Sequence, residues 1–101
     1  MERIVVLLET SHLTAYDYDA ITIELENSGK LYDQQRLSHV AFNRNGTWCV
    51  VDVWESPQAF ASFAQHTLGP IFAKLGLPVI EPVILPAHSY LGAHAEEPMS
   101  A

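Results

Sequence analysis

The dipeptide Asn45-Gly46 is the feature that most restricts how this chain folds. Both residues accept the positive φ angles of a type I′ turn, so an Asn-Gly pair between two apolar stretches strongly indicates a β-hairpin. Residues 36–43 alternate as a strand does, and residues 47–54, Thr-Trp-Cys-Val-Val-Asp-Val-Trp, are rich in β-branched and aromatic side chains. The sequence therefore predicts two antiparallel strands joined by this turn.

The length of the turn also sets the register of the hairpin. With a two-residue turn, His39 lies opposite Asp52 and Leu37 opposite Trp54. A four-residue loop would place His39 opposite Val50 but would keep the same side chains on one face, whereas an odd-length loop would invert the faces. Opposed side chains have Cβ atoms about 4.5–5.5 Å apart, so we expect His39 and Asp52 to be within hydrogen-bonding distance.

A strand and a helix are predicted before the hairpin. Residues 3–9, Arg-Ile-Val-Val-Leu-Leu-Glu, are mostly aliphatic and β-branched, which is typical of a strand. No basic segment or small-residue cleavage site accompanies them, so we interpret them as a strand and not as a signal peptide. In residues 15–28 apolar side chains recur at helical spacing, and Gly29 follows where a C-terminal glycine cap is expected.

A helix and a strand are predicted after the hairpin. Ser56-Pro57 combines a favourable N-cap with the residue preferred at the first helical position. Gly69-Pro70 is expected to break or kink this helix before a short second piece at residues 71–75. Residues 83–91 form the last strand, in which Pro86 indicates an edge position or a bulge.

The resulting order β-α-β-β-α-β is that of the ferredoxin-like α+β fold, a four-stranded antiparallel sheet with both helices on one face. We expect this domain to span residues 1–91 and to be followed by a flexible tail at 92–101. Neither face of the sheet is predicted to be polar at every second position, because Val51 and Val53 alternate with Val50 and Trp54. A second copy of the chain is the expected cover for the open face, giving a homodimer; the alternative is cover by the chain's own tail.

Composition excludes several classes of function. A net charge of −7 with only five basic residues argues against nucleic acid, because binding to its backbone needs clustered Lys and Arg. The longest apolar run, residues 4–8, is far shorter than the roughly 20 residues that cross a bilayer, so no membrane is expected. A single cysteine, Cys49, cannot form an internal disulfide and favours a reducing cytoplasm.

The predicted pair of His39 and Asp52 is the candidate catalytic site. A carboxylate beside an imidazole fixes its tautomer and orientation, as in many general bases. Aromatic and polar side chains near this pair describe a small-molecule pocket, and the candidate ligand-binding residues are Trp54, Trp48, Tyr16, Tyr18 and His88. The alternative is a cross-strand polar pair that satisfies itself inside the core.

A metal site is not expected. The sequence has five histidines, but no two of them have the spacing of an HxH or HExxH motif. A metal would therefore need His39, Asp52 and His88 to converge in space. Cys49 alternates onto the face opposite His39, which argues against a Cys–His nucleophile. No phosphate-binding glycine loop is present, and we expect no bound cofactor.

Residues 50–60, Val-Val-Asp-Val-Trp-Glu-Ser-Pro-Gln-Ala-Phe, form a strand that ends in Trp and leads into a Ser-capped helix. This stretch resembles the dimeric α+β barrel superfamily, closest to the antibiotic biosynthesis monooxygenase-like domains and their haem-degrading relatives. The resemblance extends over residues 3–91 and implies that two sheets face each other in a dimeric barrel. It also implies a cavity between each sheet and its helices, with Trp54 in that cavity.

Two features depart from the monooxygenases of that superfamily. Their helix histidine lies nearer the Trp than His66 does, and the polar residue on their first strand has no match in residues 4–8. His39, in the sequence Leu-Ser-His-Val, is instead similar to a residue of uncharacterised members. An activity inferred from the fold is an analogy only.

The sequence thus predicts a small dimeric enzyme-like or ligand-binding protein that holds a small, largely apolar molecule, with His39 assisted by Asp52 as the polar centre. If it is an enzyme, the chemistry that suits these residues is proton abstraction from a small aromatic or carbonyl compound. Cofactor-independent monooxygenation and isomerisation are the two forms of that chemistry. The alternative is a non-catalytic ligand-binding or dimerisation module, and a haem-binding variant is a third hypothesis. A cavity larger than about 300 Å³ beside His39 and Trp54 would favour a ligand site over a simple core.

Overall fold

The computed structural model describes residues 2–92 of the 101-residue chain. Its elements follow in the order β1 (Ile4–Thr10), α1 (Ala15–Asn27), β2 (Arg36–Arg44), β3 (Thr47–Trp54), α2 (Pro57–Phe63), a π-helical turn (Ala64–Leu68), α3 (Gly69–Leu75) and β4 (Val83–Pro86). The tail predicted at residues 92–101 lies outside the described residues except for Gly92, and so does His94. Within residues 2–92 no helix is both long enough and apolar enough to cross a membrane.

The strands form one antiparallel sheet in the order β2-β3-β1-β4. This α+β architecture is consistent with the predicted ferredoxin-like arrangement.

Pro86 lies on edge strand β4, where the sheet does not need the hydrogen bond that its missing N–H would donate. The prediction that this strand continues to Leu91 is wrong. After Pro86, the Ala87 N–H donates to Arg3 O at 2.9 Å, and the chain then leaves the ladder, with the Tyr90 hydroxyl donating to Leu37 O at 3.2 Å.

The β2–β3 hairpin has the predicted turn. Asn45 and Gly46 have φ angles of 52° and 91°, which are the positive values that a type I′ turn requires. The side-chain oxygen of Asn43 accepts a hydrogen bond from the Gly46 N–H at 2.9 Å. The predicted register is confirmed over most of the hairpin, including His39 opposite Asp52.

The register changes at the far end of the hairpin. A bulge between Arg36 and Ser38 places Arg36, and not Leu37, opposite Trp54. The prediction of a Leu37–Trp54 pair is therefore wrong, because counting back from the turn assumes one residue per step on both strands. A bulge adds one residue to a single strand and redirects the side chains beyond it.

Both helices begin at a side-chain cap, and the predicted cap at Ser56 is confirmed. The Thr14 side chain accepts from the Asp17 N–H while the Asp17 carboxylate accepts from the Thr14 N–H, which completes a capping box at the start of α1. The Ser56 hydroxyl accepts from the Ala59 N–H at 3.1 Å, with Pro57 at the first helical position. These bonds satisfy N–H groups that have no partner within the helix itself.

The predicted break at Gly69-Pro70 takes the form of a π-helical turn. The backbone stays helical from α2 through Ala64–Leu68 into α3, and the Gly69 N–H donates to Ala64 O, five residues back. Pro70 has no N–H and its ring would clash with a carbonyl in a regular α-helix. A wider turn immediately before the proline accommodates both constraints without ending the helix.

The hydrophobic core lies between the sheet and the helices. Side chains from β1 and from the end of β3 pack against all three helices. The core contains Ile4, Val6, Trp54, Ile21, Leu25, Phe60, Phe63 and Ile71. Trp54 and Val6 are fully buried. Both helical segments therefore pack on one face of the sheet, as predicted.

The opposite face of the sheet, here called the outer face, is also apolar. Register pairs place on it Val5, Leu7, Val40, Phe42, Val51, Val53, Val83 and Leu85. Several of these side chains stay exposed, with Val40 at 56% and Val83 at 52%. The sequence prediction of a sheet without a polar face is thus confirmed in the described residues.

Candidate functional site

Three side chains from α1, β2 and β3 form a chain of hydrogen bonds. His39 Nδ1 lies 2.6 Å from Asp52 Oδ1, and His39 Nε2 lies 2.6 Å from the hydroxyl oxygen of Tyr18. Trp54 Nε1 donates to the second carboxylate oxygen of Asp52 at 3.3 Å. The two nitrogens of His39 therefore both have partners, and so do both oxygens of Asp52.

These contacts determine the tautomer of a neutral His39. An ionised carboxylate can only accept hydrogen bonds, so the His39 Nδ1 must be the protonated nitrogen that donates to Asp52. The lone pair of Nε2 is then left to accept the hydrogen bond that the Tyr18 hydroxyl donates. Asp52 is buried, whereas the His39 side chain is 27% exposed. The imidazole therefore lies between the buried carboxylate of Asp52 on one side and the hydroxyl of Tyr18 on the other.

Tyr18 is held in this position by helix α1 and by its aromatic neighbours. Its ring stacks on His39 at 6.1 Å between centroids and packs against Trp48 at 5.2 Å. Burial raises the pKa of Tyr18 above its ordinary value of 10.0, while the Arg36 guanidinium acts in the opposite direction. The phenol is therefore a proton donor to His39 at neutral pH.

Tyr18, His39 and Asp52 line a cavity of about 120 Å³ between the sheet and the helices. Most of its walls are apolar, with contributions from Leu8, Leu13, Ile21, Phe60, Phe63 and Phe72. A dry apolar cavity of about 150 Å³ is known to bind benzene, so this volume suits a single small ring. It is smaller than the roughly 300 Å³ expected of a typical ligand pocket.

Arg36 also lines the cavity, and it is the one cationic side chain that does so in the described part of the chain. Its guanidinium donates to Leu31 O at 2.9 Å and lies over the Phe63 ring at 5.5 Å from the centroid. The sequence pattern does not reveal this position, because the bulge between Arg36 and Ser38 determines where the side chain points. Arg36 brings positive charge to an otherwise apolar wall.

Trp48 adds an unpaired donor to the same cavity. Its indole Nε1 is buried and has no hydrogen-bond partner among residues 2–92, although the residue lines the cavity. Buried polar groups are nearly always hydrogen-bonded, and one without a partner needs an explanation. Because Nε1 has almost no accessible surface, a molecule in the cavity would accept this hydrogen bond only after the indole ring rotates.

The structure does not bring all the predicted ligand-binding residues to the cavity. Trp54 does not line it: the ring is fully buried and packs against Phe60 and Phe63 at 5.8 and 5.1 Å. Tyr16 is 81% exposed, because its position on α1 points away from the core on which Tyr18 packs. His88 is exposed beyond the end of β4 and is also absent from the cavity walls.

Metal ligation finds no support in the described residues. Within residues 2–92 no group of three or more His, Cys, Asp or Glu side chains is placed to hold a metal ion. Cys49 lies opposite Phe42 on the outer side of the sheet, away from His39. The ionisable side chains that line the cavity in the described residues are Tyr18, His39, Asp52 and Arg36.

Comparison of the chain with protein-family models, with curated proteins and with solved structures finds no significant match.

Proposed function

We propose that this protein binds a small single-ring or carbonyl compound and moves a proton on it, as an isomerase does. The observation that supports this most is the hydrogen-bonded series Tyr18–His39–Asp52, with 2.6 Å between each pair of partners, at the wall of an apolar cavity. Proton transfer by positioned side chains accelerates reactions by about 10²–10⁴-fold. The same three groups supply an acid, a base and a counter-ion.

In the proposed reaction the Tyr18 hydroxyl relays a proton from the ligand to His39. It takes a proton from the carbon beside the ligand's carbonyl group while its own proton passes to His39 Nε2. The electron pair of the broken C–H bond moves toward the carbonyl, which leaves an enolate. The buried carboxylate of Asp52 stabilises the resulting imidazolium. In a ligand whose enolate is conjugated with a carbon–carbon double bond, return of the proton to the far carbon of that double bond shifts the double bond and completes an isomerisation without any oxidant.

Two further side chains suit the same ligand. The Arg36 guanidinium supplies positive charge where an enolate would form, and such pre-placed charge is commonly the largest single contribution to catalysis. The unpaired Nε1 of Trp48 is buried, and a small rotation of the indole ring would make it a donor for the ligand's oxygen. An apolar ring with one oxygen acceptor therefore matches the walls, the cation and the free donor together.

A second candidate is a non-catalytic module, and the volume of the cavity favours it. At about 120 Å³ the space beside His39 is below that of an ordinary ligand pocket, and Trp54 is core and not wall. In this hypothesis Tyr18, His39 and Asp52 satisfy one another as a structural network. The experiment below separates the two candidates.

We further propose that the chain is a distant relative of the antibiotic biosynthesis monooxygenase-like domains. The strand that ends at Trp54 and the helix capped by Ser56 support this relation. A monooxygenase would need O₂ as the acceptor of the enolate's electrons, whereas isomerisation needs no second reactant. Since Trp54 does not line the cavity, isomerisation is the form that we favour.

We also propose that the protein is located in a reducing cytoplasm, because its single cysteine, Cys49, is free.

We also propose that the working form is a homodimer assembled through the outer face. All four strands contribute apolar side chains to this face, and Val40, Phe42, Val83 and Leu85 remain exposed on it. The ion pair of Glu9 and Arg44 lies at one end of the same face. Monomeric proteins rarely expose such contiguous apolar surface. A second copy offers the same apolar surface in return, which is how a twofold interface becomes self-complementary.

The proposed ligand site is tested by a thermal-shift screen against phenols, quinones, single-ring ketones, small acids and haem. His39→Gln removes the base but keeps hydrogen bonding, and His66→Gln on the exposed helical surface is the matched control. We expect a ligand to stabilise the wild-type protein and His66→Gln but not His39→Gln, with little change in the unliganded melting temperature. A network that is only structural would instead lose stability in His39→Gln, by about 1–3 kcal/mol, and no compound would stabilise any of the three proteins.

A further inference from the structure

A second apolar cavity adjoins the site. It has a volume of about 270 Å³ and lies between the helical segment and the residues that lead into β4. The two cavities share part of their walls, namely Leu8, Phe60, Leu68, Phe72 and Ile80. Leu68, Phe72 and Ile80 are only half-buried. An elongated molecule that occupied both cavities would pass these shared side chains.

The π-helical turn forms part of the wall of this second cavity. Ala64 and Leu68, at the two ends of the turn, line it, and so does Gly69 directly after it. A Cβ atom at Gly69 would lie 3.3 Å from Ala64 O, so the helix backbone is closely packed at this point of the turn. Single π-helical turns are rare and occur often at functional sites. Here the turn widens the helix where it borders the cavity.

We infer that the ligand is an amphiphile whose polar ring lies at Tyr18 and His39 and whose apolar tail occupies the second cavity. This inference rests on the proposed function, since it extends the ligand of that site. The polar groups all belong to the first cavity, whereas Ala73, Leu77 and Val79 on the wall of the second offer only apolar contact to a tail. The substrate class is therefore a ring compound with an alkyl chain.

A series of para-alkylphenols tests the inference, with phenol as the head group alone and para-butylphenol as the extended probe. Binding is measured by titration calorimetry. Each buried methylene should raise the affinity about two- to fourfold, so the butyl compound should bind at least about tenfold more tightly than phenol. Ala64→Leu fills part of the second cavity and should remove most of this gain while leaving phenol binding within about twofold.

Ala61→Leu is the matched control, because Ala61 is exposed on α2 and lines neither cavity. It should preserve the gain. If Ala64→Leu does not fold, nuclear Overhauser contacts in the wild-type protein decide instead: the butyl protons should contact the methyl groups of Ala73 and Leu77.

Failure of this inference is distinct from failure of the proposed function. Phenol binding that perturbs His39, with no gain from the butyl chain or no contact of the chain with Ala73 and Leu77, would overturn the amphiphile and retain the site. Absence of binding by phenol and para-butylphenol alike would overturn both.

Discussion

At the residue scale, the titration of Tyr18 reports directly on the geometry of the site. Burial raises the pKa of its phenol above 10.0, so the folded protein holds this proton more tightly than the unfolded chain does. The stabilisation is fully present below pH 10.0 and is lost as the pH rises through the folded-state pKa. Subtracting the phenolate absorbance of Tyr18→Phe from that of the wild-type protein should isolate a group with a midpoint above 10.0. A midpoint below this value would show that the ring is solvated.

The two tryptophans should differ in what their indole nitrogens contribute. Trp54→Phe removes the N–H that donates to Asp52, and leaving a buried acceptor short of one bond costs about 1–3 kcal/mol. Trp48→Phe removes a donor that has no partner in the described residues. Urea denaturation should therefore show Trp54→Phe to be the less stable variant by about 1 kcal/mol or more. Equal stabilities would contradict the assigned hydrogen bond.

The pairing of His39 with Asp52 could be predicted because a two-residue turn and strict alternation fix both partners. The rest of the site could not. Tyr16 and Tyr18 are two residues apart on a helix, and only packing decides which of them reaches the sheet. Arg36 reaches the cavity beside a bulge, and a bulge leaves no periodic pattern in the sequence.

At the scale of the elements, the hairpin turn is tested by Gly46→Val. Gly46 has a φ of 91°, and a Cβ atom added to it would have no neighbouring atom within 4 Å, so the effect is one of backbone conformation and not of crowding. A β-branched residue there should destabilise the domain by about 1 kcal/mol or more. Asn45→Gly, which accepts the same turn, is the control and should melt near the wild-type temperature. An unchanged melting temperature for Gly46→Val would contradict the type I′ turn.

The cap at Ser56 and the Asn45-Gly46 turn were predictable because one or two residues determine each of them. The form of the interruption near Pro70 was not, since a missing N–H is compatible with a break, a kink or a π-helical turn. Strand β4 is shorter than its apolar composition suggests. Composition indicates which residues favour a strand but not where the neighbouring strand ends.

At the scale of the whole molecule, the exposed outer face predicts the state of assembly. A homodimer through this face should bury about 2,000 Å² or more in total, as obligate dimers do. Light scattering at micromolar concentration should give about twice the chain mass of 11.2 kDa. Val40→Lys places a charge within the proposed interface, on edge strand β2, and should give the monomer mass, whereas Ile23→Lys, on the exposed side of α1, should remain dimeric. A monomeric wild-type protein would contradict the proposed assembly.

The central claim, that His39 receives a proton from a bound molecule by way of Tyr18, is tested most directly by deuterium exchange. A single-ring ketone such as cyclohexanone is incubated with the protein in D₂O, and loss of the signal of the protons beside the carbonyl is followed by NMR. The wild-type protein and His66→Gln should exchange these protons at equal rates, and His39→Gln should be slower by about 10²-fold or more. Equal rates in His39→Gln and the wild-type protein, or no protein-dependent exchange of a ketone that binds, would contradict the claim.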